Sequence, residues 1–170
     1  LYKGKHLLSF VDNHDVSRIA SLLQNEKHLP LIYALMFGMP GIPCVYYGSE
    51  WGAKARKEDG DPALRACFAA PEWTELTTFI SRLAEVKKSS EALNYGNFRS
   101  VLLTNKQCIF ERKSEHERVL VAINAEDAPF MAHFDAGCGM AQELITDTPH
   151  DFGGGSELPP YSAAIWKMEY

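Results

Sequence analysis

The chain has 170 residues, of which 46% are hydrophobic and 23% are charged, so it can bury a core and has no compositional reason to stay disordered. Its length suits one ordinary domain or two small ones. The formal net charge of −5 argues against a nucleic-acid partner, because binding a phosphate backbone requires clustered Lys and Arg.

The first half of the sequence predicts a strand, a helix and a second strand. Residues 7–11 are a short apolar run that stops at a polar cluster. Pro30 suits the first turn of a helix and Gly38 suits its carboxy-terminal cap. Residues 43–47 form a second apolar run. Neither run alternates apolar with polar residues, so we predict parallel strands that are buried on both faces, with their trailing loops on one rim.

A helix and then an antiparallel β-domain are predicted for the rest of the chain. Residues 72–88 repeat apolar side chains at spacings of three and four, as an amphipathic helix requires. From about Ala92 onward, short β-forming runs alternate with turn residues. The predicted strands are residues 98–103, 108–112, 118–123, 130–134, 143–145 and 163–168.

The sequence favours no membrane span, zinc site or secretion signal. Residues 29–48 are uncharged and about as long as the ~20 residues that cross a bilayer, but Pro40, Gly41 and Pro43 interrupt them. The chain does not begin with Met or a signal peptide, so we expect a piece of a longer protein. The cysteines lack zinc-ligand spacing and an evident disulfide pairing, which favours a cytoplasmic location over a secreted one. They are Cys44, Cys67, Cys108 and Cys138.

A polar cluster follows the first predicted strand. Asn13, His14 and Asp15 offer an amide, an imidazole and a carboxylate at the strand's carboxyl end, which is where parallel α/β barrels keep their active sites. Together these groups can form directional hydrogen bonds to vicinal hydroxyls, so a sugar ligand is predicted. The alternative is a polar turn that caps a helix, since Asn and Asp are favoured in such turns.

Residues 10–15, Phe-Val-Asp-Asn-His-Asp, resemble the Phe-x-x-Asn-His-Asp segment at the end of barrel strand seven in the α-amylase family, glycoside hydrolase family 13. Residues 40–50 resemble the passage from strand eight into its loop. Residues 118–124 and 158–162 resemble parts of the family's carboxy-terminal β-domain. The resemblance therefore covers nearly the whole chain.

The resemblance implies an α/β part followed by an all-β part. Residues 1–91 would be the last two strand–helix units of a TIM-type (β/α)8 barrel, from strand seven to helix eight, and residues 92–170 a small antiparallel β-sandwich. A complete barrel has about 250 residues, so the upstream barrel portion is expected to be missing. A two-strand remnant exposes unpaired edges and an apolar face, which predicts self-association.

By the resemblance, Asp15 binds sugar hydroxyls in the cleavage subsite and stabilises an oxocarbenium-like transition state, with His14 as its hydrogen-bonding neighbour. The candidate substrate-binding residues are Asn13, Glu50, Trp51 and Arg65. Trp51 either stacks on a sugar or packs on its own domain, and Arg65 either contacts substrate or forms a surface ion pair.

Other polar residues are expected to have structural roles. Arg18 is predicted to be structural. The acidic residues Asp59, Asp61 and Asp147 are interpreted as solvated turns, since their spacing fits no calcium loop. No cofactor is evident in the sequence, and no metal site is predicted, although full-length members of the family can carry calcium.

The resemblance implies a glycosidase that acts on α-glucans or maltooligosaccharides by a retaining mechanism. Such enzymes need a nucleophile and an acid/base about 5–5.5 Å apart, and in the family these lie upstream, on strands four and five. We therefore expect the chain alone to be inactive; Asp15 with Glu50 is disfavoured as a substitute pair because no feature of the sequence sets their separation. The alternatives are a non-catalytic carbohydrate-binding protein and a partner-subunit relative without catalytic residues.

Overall fold

The computed structural model describes residues 5–168; residues 1–4 and 169–170, at the outer ends of the two predicted units, lie outside the described range. Helices dominate up to residue 95, and strands follow. In chain order the elements are β1 (Leu8–Ser9), α1 (Ile19–Leu22), α2 (His28–Gly38), β2 (Ile42–Pro43), α3 (Asp61–Leu64), α4 (Glu75–Ser89), α5 (Glu91–Tyr95), β3 (Asn97–Leu103), β4 (Gln107–Lys113), β5 (Arg118–Asn124), β6 (Phe130–Ala132), β7 (Met140–Glu143), β8 (Thr148–Asp151), β9 (Ser156–Leu158) and β10 (Ser162–Met168).

Strands β1 and β2 form a two-stranded parallel sheet, with α2 as the connection between them. Leu8 lies opposite Ile42, and the Cys44 amide extends the pairing by donating a 2.8 Å hydrogen bond to the Ser9 carbonyl. The predicted parallel direction is confirmed. The predicted lengths are wrong, because each strand has two residues rather than five.

The prediction that both strands are buried on both faces is also wrong for the described residues. Leu8 is 61% exposed, Phe10 48% and Ile42 50%. A sheet of two short strands has no further strand along either edge, and α2 packs mainly on α4 and on the antiparallel sheet instead of covering β1. The apolar runs do form the paired segments, but burial on both faces would require further strands and helices around this two-stranded sheet, which the described residues do not provide.

Helix α2 is buried on most of its circumference because it lies between α4 and the antiparallel sheet. Pro30 sits in the first turn, where no hydrogen bond needs its missing amide. Gly38 is the last helical residue, not the predicted cap; the cap is Met39, whose amide donates to the Leu35 carbonyl. A side chain on Gly38 would meet Val121 of the sheet at 3.0 Å, so glycine permits the close helix–sheet contact.

Helix α4 begins at Glu75, three residues later than predicted. Thr74 and Thr77 form a reciprocal capping box, which satisfies two amides that the first turn leaves unpaired. The predicted apolar stripe is confirmed, since Leu83 and Val86 are buried against α2. Helices α1, α3 and α5 were not predicted, because four or five residues are too few to show a helical period.

The second half forms a six-stranded sheet in the order β3-β4-β5-β10-β7-β8, and all of its pairs are antiparallel, as predicted. Alternate residues of β5 face opposite sides. Val121 faces the helices, whereas Leu120 joins Trp166 and Leu158 on the other side. The β6–β9 pair adds Ala132 and Leu158 to this second side, so the sheet has apolar contacts on both faces.

Several predicted strands differ from the structure near the end of the chain. Strand β6 ends at Ala132, and the strand expected at 143–145 lies at Met140–Glu143. The Glu143 carboxylate accepts from the amides of Ile145 and Thr146, which turns the chain. Strand β8 was missed because it contains Pro149, which is tolerated there since β8 is an edge strand. Strand β9 was too short to recognise.

The described residues thus combine helices with an antiparallel sheet and contain no closed barrel. Within residues 5–168, no helix has the length and apolar character needed to cross a bilayer.

Candidate functional site

Four of the predicted site residues meet beyond the carboxyl end of β1. The two carboxylate oxygens of Asp15 face different partners: His14 Nε2 is 3.2 Å from Oδ2, and Arg65 Nη2 is 3.4 Å from Oδ1. The Asn13 side-chain oxygen accepts a 2.8 Å hydrogen bond from the Asp15 amide, which shapes the turn. The Asp15 side chain is 61% exposed, so a ligand can reach its carboxylate.

Arg65 also contacts a second carboxylate, which the sequence does not predict as a site residue. Its Nη1 donates a 2.8 Å hydrogen bond to Asp61, one helical turn earlier, where only a solvated turn was expected. The spacing of four between Asp61 and Arg65 was the available signal, because residues four apart on a helix are neighbours. Arg65 therefore lies between two carboxylates, and Asp61 becomes part of the cluster.

A buried carboxylate anchors the loop that carries the cluster. Asp12 is 2% exposed, and its two oxygens accept from Ser49 Oγ and from the Ile19 amide, both at 2.8 Å. The first bond ties the loop after β1 to the loop after β2, and the second stabilises the start of α1. The motif contained Asp12, but only the fold shows that it faces inward while Asp15 faces solvent.

Arg18 joins three segments around the cluster. It is 1% exposed and donates to the Tyr47 carbonyl (2.7 Å), to Ser49 Oγ (2.9 Å) and to the Leu64 carbonyl (3.0 Å). Its guanidinium also lies 4.2 Å from the centre of the Tyr46 ring, a cation–π contact. Because Leu64 precedes Arg65, this anchoring holds Arg65 next to the loop that carries Asp15. The contacts agree with the structural role predicted for Arg18.

Aromatic and hydroxyl groups complete the support beneath the cluster. The Tyr33 phenol donates to the Ser49 carbonyl at 3.1 Å, and burial, reinforced by the negative charge of Asp12, raises its pKa. The phenol therefore stays protonated as a donor. The Tyr46 ring lies 6.2 Å from the His14 ring, and burial also raises the Tyr46 pKa.

Glu50 lies in the loop after β2 but makes no hydrogen bond or ion pair with Asp15 in residues 5–168. Its carbonyl accepts from Thr77 Oγ1 at 3.0 Å, which fixes the loop to the first turn of α4. One carboxylate oxygen, Oε2, is buried without a hydrogen-bond partner among the described residues. A buried, unpaired carboxylate oxygen is costly unless a further group satisfies it.

Trp51 packs edge-to-face on Phe68, with the ring centroids 5.2 Å apart. Phe68 in turn contacts Tyr47 at 5.8 Å. Trp51 is partly exposed, so these contacts leave some of its surface accessible. The contact with Phe68 agrees with the interpretation that Trp51 packs on its own domain. A role of Trp51 in sugar binding stays a prediction.

No group of three or more potential metal ligands is present in residues 5–168, and the four cysteines form no disulfide there.

The family model for the α-amylase catalytic domain matches residues 3–92, more than half of the chain. The chain belongs to the α-amylase family. Among the family's members, the cyclomaltodextrin glucanotransferase of Niallia circulans is 32% identical over 151 residues, covering 87% of this chain and 20% of that protein. An α-amylase of the same organism is 34% identical over 125 residues, covering 72% of this chain and 23% of that protein.

The solved structures similar to this α-amylase family chain agree with the sequence matches. An Anoxybacillus α-amylase superposes with a TM-score of 0.86 and 25% identity, over 95% of this chain and 38% of that one. This chain therefore spans about a fifth of the length of the glucanotransferase and less than two fifths of the Anoxybacillus enzyme.

Proposed function

We propose that this chain supplies one side of the active site of a retaining glycosidase that acts on α-glucans or maltooligosaccharides. The observation that carries the proposal is the Asp15 carboxylate, accessible at the end of β1 and held between His14 and Arg65. Family membership supports α-glucan chemistry, and the cluster has the hydrogen-bonding groups that vicinal sugar hydroxyls require.

In this proposal, Asp15 acts by differential binding. Its oxygens accept hydrogen bonds from sugar hydroxyls in the ground state. As the sugar ring gains positive charge, the attraction of the nearby carboxylate grows, so the transition state is stabilised more than the substrate. His14 and Arg65 each hold one oxygen of Asp15, which orients the carboxylate before the sugar binds.

The nucleophile and the acid/base are proposed to come from residues outside this chain, so that the chain alone is inactive. A retaining mechanism needs two further carboxyl groups placed about 5–5.5 Å apart around the scissile bond. The chain spans only 20% of the length of its glucanotransferase relative, which leaves room for those groups elsewhere. Asp15 is already paired with His14 and Arg65, and Glu50 shares no contact with it in the described residues.

The same proposal assigns β1, α2, β2 and α4 to the last two strand–helix units of a (β/α)8 barrel within residues 1–91, and residues 92–170 to the β-sandwich domain behind it. The parallel β1–β2 pair, connected through α2 and followed by α4, supports the first assignment. The upstream barrel strands would then cover the exposed side chains of Leu8 and Ile42.

Asn13, Glu50 and Trp51 are proposed to line the sugar cleft around Asp15. Asn13 shapes the Asp15 turn, and Trp51 has a partly exposed indole close to the loop after β2. Glu50 has one oxygen without a protein partner, so it can accept a bond from a group outside the described residues.

The test is the activity of the full-length parent on maltodextrins, compared with its Asp15→Asn variant. We expect kcat to fall by about 10²–10³-fold, the range seen when one preorganised electrostatic group is lost, with a smaller change in KM. Asp59→Asn, an exposed substitution of the same chemical kind, is the matched control. Unchanged turnover would remove Asp15 from catalysis. A parent that binds maltodextrin without cleaving it would support the non-catalytic alternative.

A further inference from the structure

A polar groove crosses one face of the antiparallel sheet where β3, β4 and β5 lie side by side. Arg99 is opposite Glu111, and Lys113 is opposite both Asn97 and Arg118. Directly opposed residues share a face of a sheet, so these five side chains form one surface. Two adjoining cavities of about 740 and 620 Å³ share Arg99, Glu111 and Lys113, which makes the groove continuous.

One end of the groove carries an exposed aromatic ring. Tyr95, the last residue of α5, is 73% exposed. The His6 ring meets it edge-on at 5.5 Å, a contact that supports the ring while most of its surface stays open to solvent. The other end is bordered by Gly137 and Cys138, between β6 and β7.

The hydrogen-bonding groups in the groove are held in fixed positions. Glu111 is 7% exposed and accepts from Arg99 Nε at 2.9 Å and Nη2 at 3.1 Å, as well as from Arg118 Nε. Arg118 also donates through Nη1 to the Ala136 carbonyl. The hydrogen bond from Arg99, together with Arg118, lowers the Glu111 pKa to about 2, so this network stays ionised at neutral pH.

The charges that line the groove cancel. Glu91, Glu111 and Glu115 contribute three negative charges, and Arg99, Lys113 and Arg118 contribute three positive ones. A lining without net charge does not favour an anion or a cation. It does offer many donors and acceptors beside an exposed ring, and this combination suits a neutral polyhydroxylated ligand whose carbon–hydrogen face can lie on an aromatic ring.

We propose that this groove is a second saccharide-binding site, which holds a segment of α-glucan away from the Asp15 cluster. The choice of α-glucan as the ligand rests on the proposed function, whereas the assignment of the groove as a saccharide site does not. The two sites share no residue. The Tyr95 end lies near His6, which precedes β1, whereas Asp15 follows β1, so the sites are associated with opposite ends of that strand. A glucan held here would keep a long substrate attached to the protein between cleavage events.

The test is calorimetric titration of the 170-residue chain with maltoheptaose, carried out in the Asp15→Asn background so that binding at the cluster is weakened. We expect saturable binding that Tyr95→Ala weakens about tenfold, as expected for the loss of one stacking contact. Trp73→Ala is the matched control, because Trp73 is 76% exposed and lies outside the groove, and it should leave the affinity unchanged.

A second variant tests the groove at a position on β4 rather than on α5. Lys113→Met removes an exposed donor at the centre of the groove and should weaken maltoheptaose binding several-fold without unfolding the sheet. Absence of binding, or an affinity that neither variant changes, would overturn the proposal. Displacement of maltoheptaose by inorganic phosphate would also overturn it, since the groove would then be an anion site. These results are independent of whether Asp15→Asn lowers turnover in the parent.

Discussion

The Arg65 guanidinium lies 3.4 Å from the Asp15 carboxylate, although 50 positions of sequence separate the two residues. Arg65 follows α3, Asp15 follows β1, and buried Arg18 holds both segments against the loop after β2. The geometry of Asp15 therefore depends on His14 and Arg65, which contact its carboxylate. It also depends on Arg18, which makes no contact with that carboxylate among the described residues.

Replacing Arg65 should impair catalysis by the parent much more than it affects stability. Arg65 is 45% exposed at its side chain, and exposed ion pairs contribute less than about 1 kcal/mol. A misplaced catalytic group, however, can lower the rate by about 10²-fold. We expect Arg65→Met to lower kcat/KM on maltodextrins by about 10- to 100-fold, and Arg65→Lys to restore it only partly, since an ammonium lacks the guanidinium fork. Arg56→Met is the exposed control, and equal activity of all variants would contradict this role.

Arg18→Met should destabilise the chain strongly. The substitution removes three hydrogen bonds and leaves the Tyr47 and Leu64 carbonyls and Ser49 Oγ without their charged donor. A hydrogen bond to a charged group contributes about 1.5–3 kcal/mol, so the loss of all three should cost at least about 3 kcal/mol. Urea unfolding of the chain should therefore show a lower midpoint for Arg18→Met than for Lys88→Met, which replaces an exposed cation of α4. A loss below about 1 kcal/mol, the size expected for a surface pair, would show that Arg18 does not anchor these loops.

Gly41→Ala should disrupt the β1–β2 pair. Gly41 has φ +121°, which strains any other residue, and an added Cβ would lie 2.8 Å from the Leu7 carbonyl oxygen. We expect a loss of about 1–3 kcal/mol in the free energy of unfolding. Gly139→Ala is the control, because no heavy atom lies within 4 Å of its added Cβ and its φ is not positive. Equal stability of the two variants would contradict the close approach between the Gly41 backbone and the Leu7 carbonyl.

Lys87 should give stability a distinctive pH dependence. Burial, and secondarily the charge of Arg112, lowers the Lys87 pKa from 10.5 to about 8. Between pH 8 and 10.5 the unfolded chain then binds more protons than the folded chain, so stability increases with pH across that window. The contribution is about 3 kcal/mol, since each unit of pKa difference corresponds to about 1.4 kcal/mol.

The measurement is the free energy of unfolding of the chain and of Lys87→Met from pH 7 to 11. Lys87 also donates to the Met39 and Leu93 carbonyls, so the substitution is expected to change the absolute stability. The informative quantity is the difference between the two pH slopes, which removes the contributions of other titrating groups. Parallel slopes would mean that Lys87 keeps an ordinary pKa.

The chain alone is predicted to self-associate through β1 and β2. Leu8, Phe10 and Ile42 are each about half exposed or more, and a short sheet with open edges can pair with another copy. Sedimentation at high micromolar concentration should show dimers or larger species, which Leu8→Lys should dissociate. Leu22→Lys, another exposed leucine, should have no effect. A monomer at that concentration would count against the prediction.

The predicted bounds of helices and strands were most accurate where a repeating pattern of apolar residues indicates which side chains are buried. The spacing of apolar residues located α4, and runs of β-forming residues located β3, β4, β5 and β10 to within one or two positions. The sequence does not predict α1, α3, α5 or β9, because a segment of three to five residues shows no clear period. The predicted β1 is too long because its apolar run is typical of a strand that pairs with a neighbour on each side, whereas β1 pairs only with β2 among the described residues.

The amino-acid sequence by itself determined the motif at residues 10–15, the parallel direction of the first two strands and the antiparallel character of the second half. Local pattern and the helical connection, which returns the chain to the same end of the sheet, are sufficient for these features. Only the tertiary structure decided that Asp12 is buried while Asp15 is exposed, and that Arg65 reaches Asp15. Adjacent carboxylates look alike in a sequence, and their surroundings depend on segments that meet only after the chain has folded.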